Sequence, residues 1–591
     1  MSIGPVTSAY THSYASTNSA LVKTVLIREF KNVTPSIMGL NLMKPIIEQI
    51  KIFQAKMASN VKRDVIQSGL DIYAIHFIND KGVPVDVDGS RIHVEKRVYD
   101  WLQHMLPAKA LAAKKAMLKL YKQGKHNDVF RPGYFHKFVR AKGFTKVEIA
   151  IRPVTKDARP RLIQFLEPEE MVKAAPHAYM CYEILKTHMC NSNHFYINTS
   201  GKTYDDLSKL AWDCIQRVNH ATGYNISDHA RNLANGDDGL TFVSRDMYES
   251  APFYDGYTLW GRDPVIHQKG SIYIATYCSG WFVRWWNGKE HKPRFMLRPF
   301  KALAKSMHAI VGNDISAKIY ANKPYITDLI ELLGQKFTSS YINASGDPFL
   351  EPIYEAWLKR LDVVSKPFWY RFQRNKKTWF HDDVVNNVTW RQKYMREYTS
   401  KYALNYTIIG DGAIYTRSEL SDNSVWWTYF INYNVSKADL LKIQGEYIHH
   451  IMTHNIGEYV KFDNPILDAC IQMDLDAKNP QSEKTHFYDN EGDVYIIEAD
   501  CSAYDSTTQR ESLIHNVWFQ QECFGKTYFT EVIKWRRAIN VQSRSRYQSA
   551  SWTTYNQMLS GYFDTSIGNG ICNITEMTTS LLLSYGEKYR L

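Results

Sequence analysis

Four short stretches of this chain hold side chains that could do chemistry together. In Glu498–Ser506 two carboxylates, Asp500 and Asp505, follow the apolar, β-prone run Val494-Tyr495-Ile496-Ile497. The pattern predicts a buried strand with Asp500 at its end and Asp505 where the chain turns. A carboxylate is costly to bury unpaired, but at a strand's end it can hold a metal ion without sitting in the core. Alone, the stretch reads equally as an ordinary acidic turn. In Asn232–Val243 two short apolar arms flank Asn-Gly-Asp-Asp-Gly, which predicts a β-hairpin holding up Asp237 and Asp238. In Lys146–Gln164 apolar alternation at Val147, Ile149 and Ile151 suggests a strand. A proline-stiffened turn with Lys156, Arg159 and Arg161 follows, then Leu162-Ile163. Such crowded cations suit a triphosphate, though a solvated basic hairpin has the same look. In Ser560–Asn573 a Ser-Gly turn leads into a helix starting near Thr565, and Thr565 and Asn569, four apart, share one of its faces.

The elements around these stretches are less informative. Residues 1–145 read as mostly helical, and Pro107–Lys125 spaces six lysines along a helix that suits solvent or an RNA backbone. Amphipathic runs cover Glu169–Met189 and Tyr204–Val218. Further helical patches fall at Ile326–Leu333 and Lys437–Met452, Thr507–Gln520 has helical character, and Asp411-Gly412 suggests a hairpin turn. Lys534–Arg546 is locally basic.

Composition sets outer limits. A chain of 591 residues can build several subdomains around a large core. A formal net charge of +12 and abundant Tyr, Trp and Phe favour a polyanionic, base-stacking partner such as nucleic acid. The eight cysteines form no C-x-x-C pair, so they read as reduced thiols without a zinc site. No apolar run reaches the ~18 residues of a membrane span, and Met1–Asn18 lacks the apolar core of a signal peptide.

Taken together, the stretches resemble the motifs of viral RNA-dependent RNA polymerases, especially the tombusvirus-like enzymes of positive-strand viruses. Lys146–Gln164 resembles the basic finger motif F, Glu498–Ser506 motif A, and Asn232–Val243 motif C. Ser560–Asn573 matches all four fixed positions of motif B, Ser560, Gly561, Thr565 and Asn569. Gly256-Tyr257-Thr258-Leu259 with Asp263-Pro264-Val265 resembles motif D. Ile272–Val283 with Arg294–Ser306 looks like motif E and the start of the thumb. The lysine often found in motif D falls near Trp260 here; Arg262 and His267 are the alternatives for a proton donor to pyrophosphate.

The resemblance implies an α+β, right-hand polymerase of fingers, palm and thumb with an antiparallel palm sheet. It implies nucleotidyl transfer to an RNA 3′-hydroxyl by a two-metal mechanism with Mg²⁺ or Mn²⁺. Asp237, Asp238 and Asp500 would hold the metals. Lys156, Arg159 and Arg161 would neutralise the nucleoside triphosphate. Asp505, Asn569 and Thr565 would read the ribose 2′-hydroxyl, and Ser560-Gly561 would form a loop under the template base. Partners would be template and nascent RNA and nucleoside triphosphates, in the host cell cytoplasm, at a replication complex or in a virion.

The motif order departs from the usual one, running F, C, D, E, A, B. It divides the chain into an N-terminal extension and fingers (1–145), fingers with motif F (146–220) and a first palm part (221–306). A thumb with a return connection (307–490) and a second palm part (491–591) follow. A sheet needs its strands adjacent in space, not in sequence. The permuted order therefore requires the Asn232–Val243 hairpin beside the strand at Val494–Asp500, and the chain near Leu591 at the surface near the start of that hairpin at Ala230. Two alternatives remain at this stage: one half of a split polymerase whose motif C lies on a second replicase subunit, and a non-catalytic RNA-binding replication protein.

Overall fold

The computed structural model describes residues 107–123, 139–145, 162–172, 191–202, 204–286, 291–306, 308–310, 321–324, 326–344, 347–361, 422–453, 464–475, 494–501, 504–508, 543–547, 550–554, 558–561 and 565–590, together with 21–23 and a few isolated positions. In chain order, β1 (Leu21–Lys23) is followed by α1 (Pro107–Lys122), β2 (Val139–Thr145), β3 (Leu162–Leu166) and β4 (Tyr196–Asn198). Next come α2 (Tyr204–Asn219), the short α3 (Ile226–His229), β5 (Ala230–Asn235) and β6 (Asp238–Ser244). Then follow β7 (Pro264–Lys269), β8 (Thr276–Tyr277), β9 (Gly280–Trp286), β10 (His291–Leu297), α4 (Pro299–Ser306) and β11 (His308–Ile310). A helical stretch holds α5 (Ile326–Asn343), α6 (Leu350–Arg360), α7 (Asp422–Tyr433), α8 (Lys437–Thr453) and α9 (Pro465–Leu475). Last are β12 (Val494–Cys501), α10 (Tyr504–Thr507), β13 (Ser543–Tyr547), β14 (Ala550–Thr554) and α11 (Thr565–Tyr585).

The fold is mixed α+β. Its central sheet has the order β4-β5-β6-β12-β7, antiparallel except for the parallel pair β4/β5. A second sheet, β14-β13-β2-β3, joins strands from both ends of the chain, with β13 parallel to β2. A third, β10-β9-β8, is an antiparallel meander.

Side-chain alternation along β12 explains how the central sheet is covered. Val494 and Ile496 pack into one apolar cluster, and Ile497, Ala499 and Cys501 into another. Period-2 strands send such alternate residues to opposite faces. The first face is covered by α2, the β8–β10 meander and helices α4 to α9, whose apolar residues share that cluster. Helices α5 to α9 are therefore continuous with the sheet's core. The second face is covered by α11, buried along most of its length. Its threonines and serines at 575, 578, 579, 580 and 584 each donate to the carbonyl four residues back, so these hydroxyls enter the core paired.

The expected hairpin at 232–243, the helix from Thr565, the strand at 494–500 and the helices over Tyr204–Val218, Ile326–Leu333 and Lys437–Met452 all occur, several of them longer than expected. The expected strand at 147–151, the cations Lys156, Arg159 and Arg161, the turn at Asp411-Gly412 and most of residues 1–106 lie outside the described residues. On α1, Lys114, Lys115, Lys119 and Lys122 are exposed, and Lys119 pairs with Glu169 at 2.5 Å. No helix among the described residues is long and apolar enough to cross a membrane.

Candidate active site

The hairpin turn is two residues, Gly236-Asp237, closed by the pair Asn235 and Asp238. Gly236 has φ +68, the positive value that glycine-first hairpin turns need. Asp237 projects from the turn, exposed, and Asp238 begins β6, half-buried.

Strand β12 pairs with β6 in antiparallel register, with Glu498 opposite Leu240 and Ala499 opposite Gly239. One further step along this ladder sets Asp500 across from Asp238, on the same face. Directly opposed Cα atoms in such a ladder lie about 5 Å apart, which keeps Asp237 and Asp500 within about 10 Å. Electrostatics agree with the register. The Asp238 carboxyl is pushed up to about 7, first by burial and then by the charges of Asp237 and Asp500. Three carboxylates thus lie within electrostatic reach of one another at one end of the central sheet.

Sequence reasoning missed what surrounds them. Cys278, at φ +48, accepts a hydrogen bond from the Asn235 amide at 3.3 Å. The thiol also interacts with Asp238 and is held protonated, chiefly by burial and then by that carboxylate. Lys301, at the start of α4, reaches Ser279 at 3.3 Å and its charge partly offsets the rise at Asp238. Glu498 shares the face of Asp500 but is neutralised in place: it pairs with Lys269 at 3.0 Å and accepts from the Thr276 amide. The separation is chemically sharp. One acid of β12 is locked into a buried ion pair, and the next on the same face is exposed beside two others.

Helix α11 positions the turn from behind. The Asn573 amide donates to the Asp237 carbonyl at 2.8 Å and its Oδ1 accepts from the Tyr257 hydroxyl at 2.7 Å. Gly239 faces this side chain so closely that a Cβ would come within 3.1 Å of Asn573 Oδ1. Asn573 stands four residues after Asn569, which stands four after Thr565, so helical periodicity was the signal that could have found it. Asn569 itself donates to Asp505 at 2.7 Å. The structure thus brings together the pair expected to read a ribose hydroxyl. The Thr565 hydroxyl donates to the Leu559 carbonyl at 2.7 Å and ties the preceding loop to the helix start.

That loop carries Ser560 and Gly561 against β3. Gly561 N donates to the Gln164 carbonyl at 2.7 Å, and Ser560 Oγ accepts from the Gln164 amide at 3.3 Å. A Cβ at Gly561 would meet Gln164 O at 2.7 Å and Phe165 Cβ at 2.9 Å, so glycine is required by close approach. The loop is therefore fixed to the strand that follows the basic segment.

A buried clamp ties these parts together. Arg262 and Glu576, both side chains fully buried, pair at 2.7 Å. Arg262 also donates to the Tyr504 carbonyl at 2.9 Å and to the Thr508 hydroxyl at 3.0 Å, while its guanidinium lies 3.8 Å from the centre of the Tyr504 ring. The Tyr504 hydroxyl donates to the other oxygen of Glu576 at 2.8 Å. A guanidinium sealed this way, with its ionisation raised by Glu576, cannot reach pyrophosphate, which removes Arg262 as a proton donor. Its work is to hold the backbone next to Asp505. His267 lies on β7 opposite Glu498.

After α11 the chain returns to the hairpin's start. Arg590 bridges Asn225, with Ile226 N donating to the Arg590 carbonyl and Arg590 N to the Tyr224 carbonyl, each at 2.6 Å.

Among the described residues no group of three His, Cys, Asp or Glu side chains is placed to hold a metal ion by itself. The three carboxylates offer hard oxygen donors at an open sheet end, which suits a cation that keeps several waters and takes substrate oxygens as ligands.

No family model matches the chain, and no curated protein or solved structure matches it.

Proposed function

We propose that this chain is a template-directed RNA polymerase, transferring nucleotides to an RNA 3′-hydroxyl, with motifs in the order F, C, D, E, A, B. The observation that carries the reading is the β12/β6 pairing, which opposes Asp500 and Asp238 although two acidic turns so distant in sequence have no local reason to meet. Mutual repulsion of three carboxylates is unfavourable for folding, so a site that gathers them serves chemistry better than stability.

Two further features support it. Asn569 bonds Asp505, the pair that motifs B and A would supply. The segment after α11 bridges Asn225, where an unpermuted chain would pass from motif B to motif C. The residue match to the motifs of tombusvirus-like polymerases supplies the reaction class.

In this reading Asp237, Asp238 and Asp500 hold divalent cations, which when bound stabilise the attacking and leaving oxygens. Asp505 accepts a hydrogen bond from the incoming ribose, and Asn569 orients Asp505. Ser560-Gly561 supports the template base from its place against β3. Lys156, Arg159 and Arg161 neutralise the triphosphate. The buried Arg262–Glu576 pair and Asn573 hold these groups without touching substrate.

The test is extension of a primed RNA template by the full chain with Mg²⁺ or Mn²⁺. Template-dependent incorporation that Asp237→Asn and Asp500→Asn each eliminate is the expected result. RNA binding without incorporation under both cations would sink the reading and leave the non-catalytic alternative. Activity only after adding a second viral protein would favour the split enzyme.

A further inference from the structure

A second site lies at the far end of β5. The strand runs from Ala230 to Asn235, so Arg231 precedes Asp237 by six residues, about 20 Å of extended chain. Around Arg231 opens a cleft of about 710 Å³, lined by Ser192, Asp213, Arg217, Thr222 and Asp228 among others. That volume is in the range of small-molecule sites, and every lining residue but Ala221 carries a polar side chain.

The two arginines are unusual in how they are held. Arg231 is 6% exposed, and donates Nε to the Ser192 carbonyl at 3.0 Å and Nη1 to the carbonyls of Ser227 and, at 2.7 Å, Ala230. Arg217 donates Nε to Ser192 Oγ at 3.1 Å and Nη2 to Asn193 Oδ1. All these acceptors are neutral. Neither guanidinium forms an ion pair within 4.0 Å among the described residues, although Asp213 and Asp228 line the same cleft. Burial, and to a lesser extent the charge of Arg217, make the Arg231 cation harder to maintain, while the charge of Asp228 supports it. Among the described residues, Arg231 Nη2 and Arg217 Nη1 make no hydrogen bond. Asp213 and Asp228 balance the two charges only through space, without a hydrogen-bonded ion pair, so the guanidinium forks keep capacity for an anion.

We propose that this cleft binds a nucleoside 5′-phosphate, with the phosphate on Arg217 and Arg231 and the ribose hydroxyls on Asp213 and Asp228. Forked guanidiniums fit phosphate oxygens, and carboxylates accept from a vicinal diol. A bare phosphate satisfies the arginines but is repelled by the two acids, whereas a nucleotide uses both. The site is separate from the acidic end of the sheet and does not depend on the polymerase reading. The same chemistry could come from a free nucleotide or from a phosphorylated RNA 5′ end.

The experiment is calorimetric titration of the full chain in EDTA, which keeps metal-dependent nucleotide binding out of the measurement. AMP is expected to bind, and adenosine at least tenfold more weakly. Inorganic phosphate should compete with AMP at higher concentration. Arg217→Ala, an exposed position, should weaken AMP at least tenfold with an unchanged circular dichroism spectrum, and Asp237→Asn should leave AMP binding as in the wild type. A 5′-phosphorylated RNA hexamer that binds as AMP does, while its 5′-hydroxyl form does not, would identify an RNA end as the source; AMP binding with neither hexamer would identify free nucleotide. Equal binding of AMP and adenosine, an Arg217→Ala chain that binds AMP normally, or no AMP binding at millimolar concentration would each overturn the proposal.

Discussion

The acidic end of the central sheet and helices α5 to α9 are both well buried, yet they are held by different forces. Around the acids, position is set by paired polar groups: Arg262 with Glu576, Lys269 with Glu498, Asn573 with the Asp237 carbonyl and Asn569 with Asp505. In the helical stretch, aromatic rings dominate. Phe337 stacks on Trp357 at 4.6 Å, and Tyr433 meets Phe300 edge-on at 4.6 Å. Its buried acids serve hydroxyls and a helix start, with Asp474 also pairing with Arg298 at 3.4 Å. Asp347 accepts from Tyr429 and from the amides of Phe349 and Leu350, and Asp474 accepts from Tyr433. Apolar packing is non-directional and tolerates small displacements. Hydrogen-bonded charge fixes direction, and a site that must aim carboxylates needs it.

That contrast can be broken first at the acids themselves. Asp237→Asn and Asp500→Asn are expected to lower nucleotide incorporation by about 10³-fold or more, the scale of losing a metal ligand, with melting temperature unchanged or raised because repulsion is relieved. A marked loss of stability would mean that these carboxylates are structural.

Arg262→Met comes next. It leaves Glu576 buried and unpaired, and should destabilise the chain by about 3–5 kcal/mol in denaturant titration. The double variant Arg262→Met, Glu576→Leu should recover most of that stability while incorporation stays impaired, because the Tyr504–Asp505 backbone loses its anchor. Recovery of both together would show that the clamp positions nothing.

In the helical stretch the expected sign reverses. Lys336 is 5% exposed on α5, and burial lowers its ionisation from 10.5 to about 7. The unfolded lysine therefore holds its proton more tightly than the folded one. Stability from this group is fully present above pH ~10.5, and is lost as pH falls toward about 7. Lys336→Met should stabilise the chain by about 2–4 kcal/mol at pH 7, and the gain should shrink as pH is raised to about 10. A gain independent of pH would assign the effect to packing.

The smallest effect concerns sugar choice. Asp505→Ala is expected to narrow the preference for ribo- over deoxyribonucleotides by about tenfold, since a site built around a hydroxyl penalises its absence. Asn569→Ala should do the same less strongly, by leaving Asp505 unoriented. Single-nucleotide incorporation with matched ribo and deoxy substrates measures both, and an unchanged ratio would take the pair out of that role.

Local features were legible in the sequence wherever a short-range rule governs them. The Asn235–Gly239 turn dictated its hairpin, because a two-residue turn needs glycine's positive φ and alternating arms. The run Val494–Ile497 dictated a strand, and Thr565 onward a helix with Asn569 on the face of Thr565. The same helical spacing could have pointed to Asn573. What no local rule could supply was partnership. Arg262 and Glu576 lie 314 residues apart, and Tyr257 and Asn573 316. Each side chain alone looks like a solvated residue or an ordinary core tyrosine. The register that opposes Asp500 to Asp238, the parallel joining of β13 to β2 and the bridge from Arg590 to Asn225 are likewise tertiary decisions. They follow from burying both faces of one sheet. Once β12 must send Val494 and Ile496 to one core and Ile497 and Ala499 to the other, a slip of one residue against β6 would reverse every side chain. The sequence determined which carboxylates stand at strand ends; burial on both sides of the sheet determined that they meet.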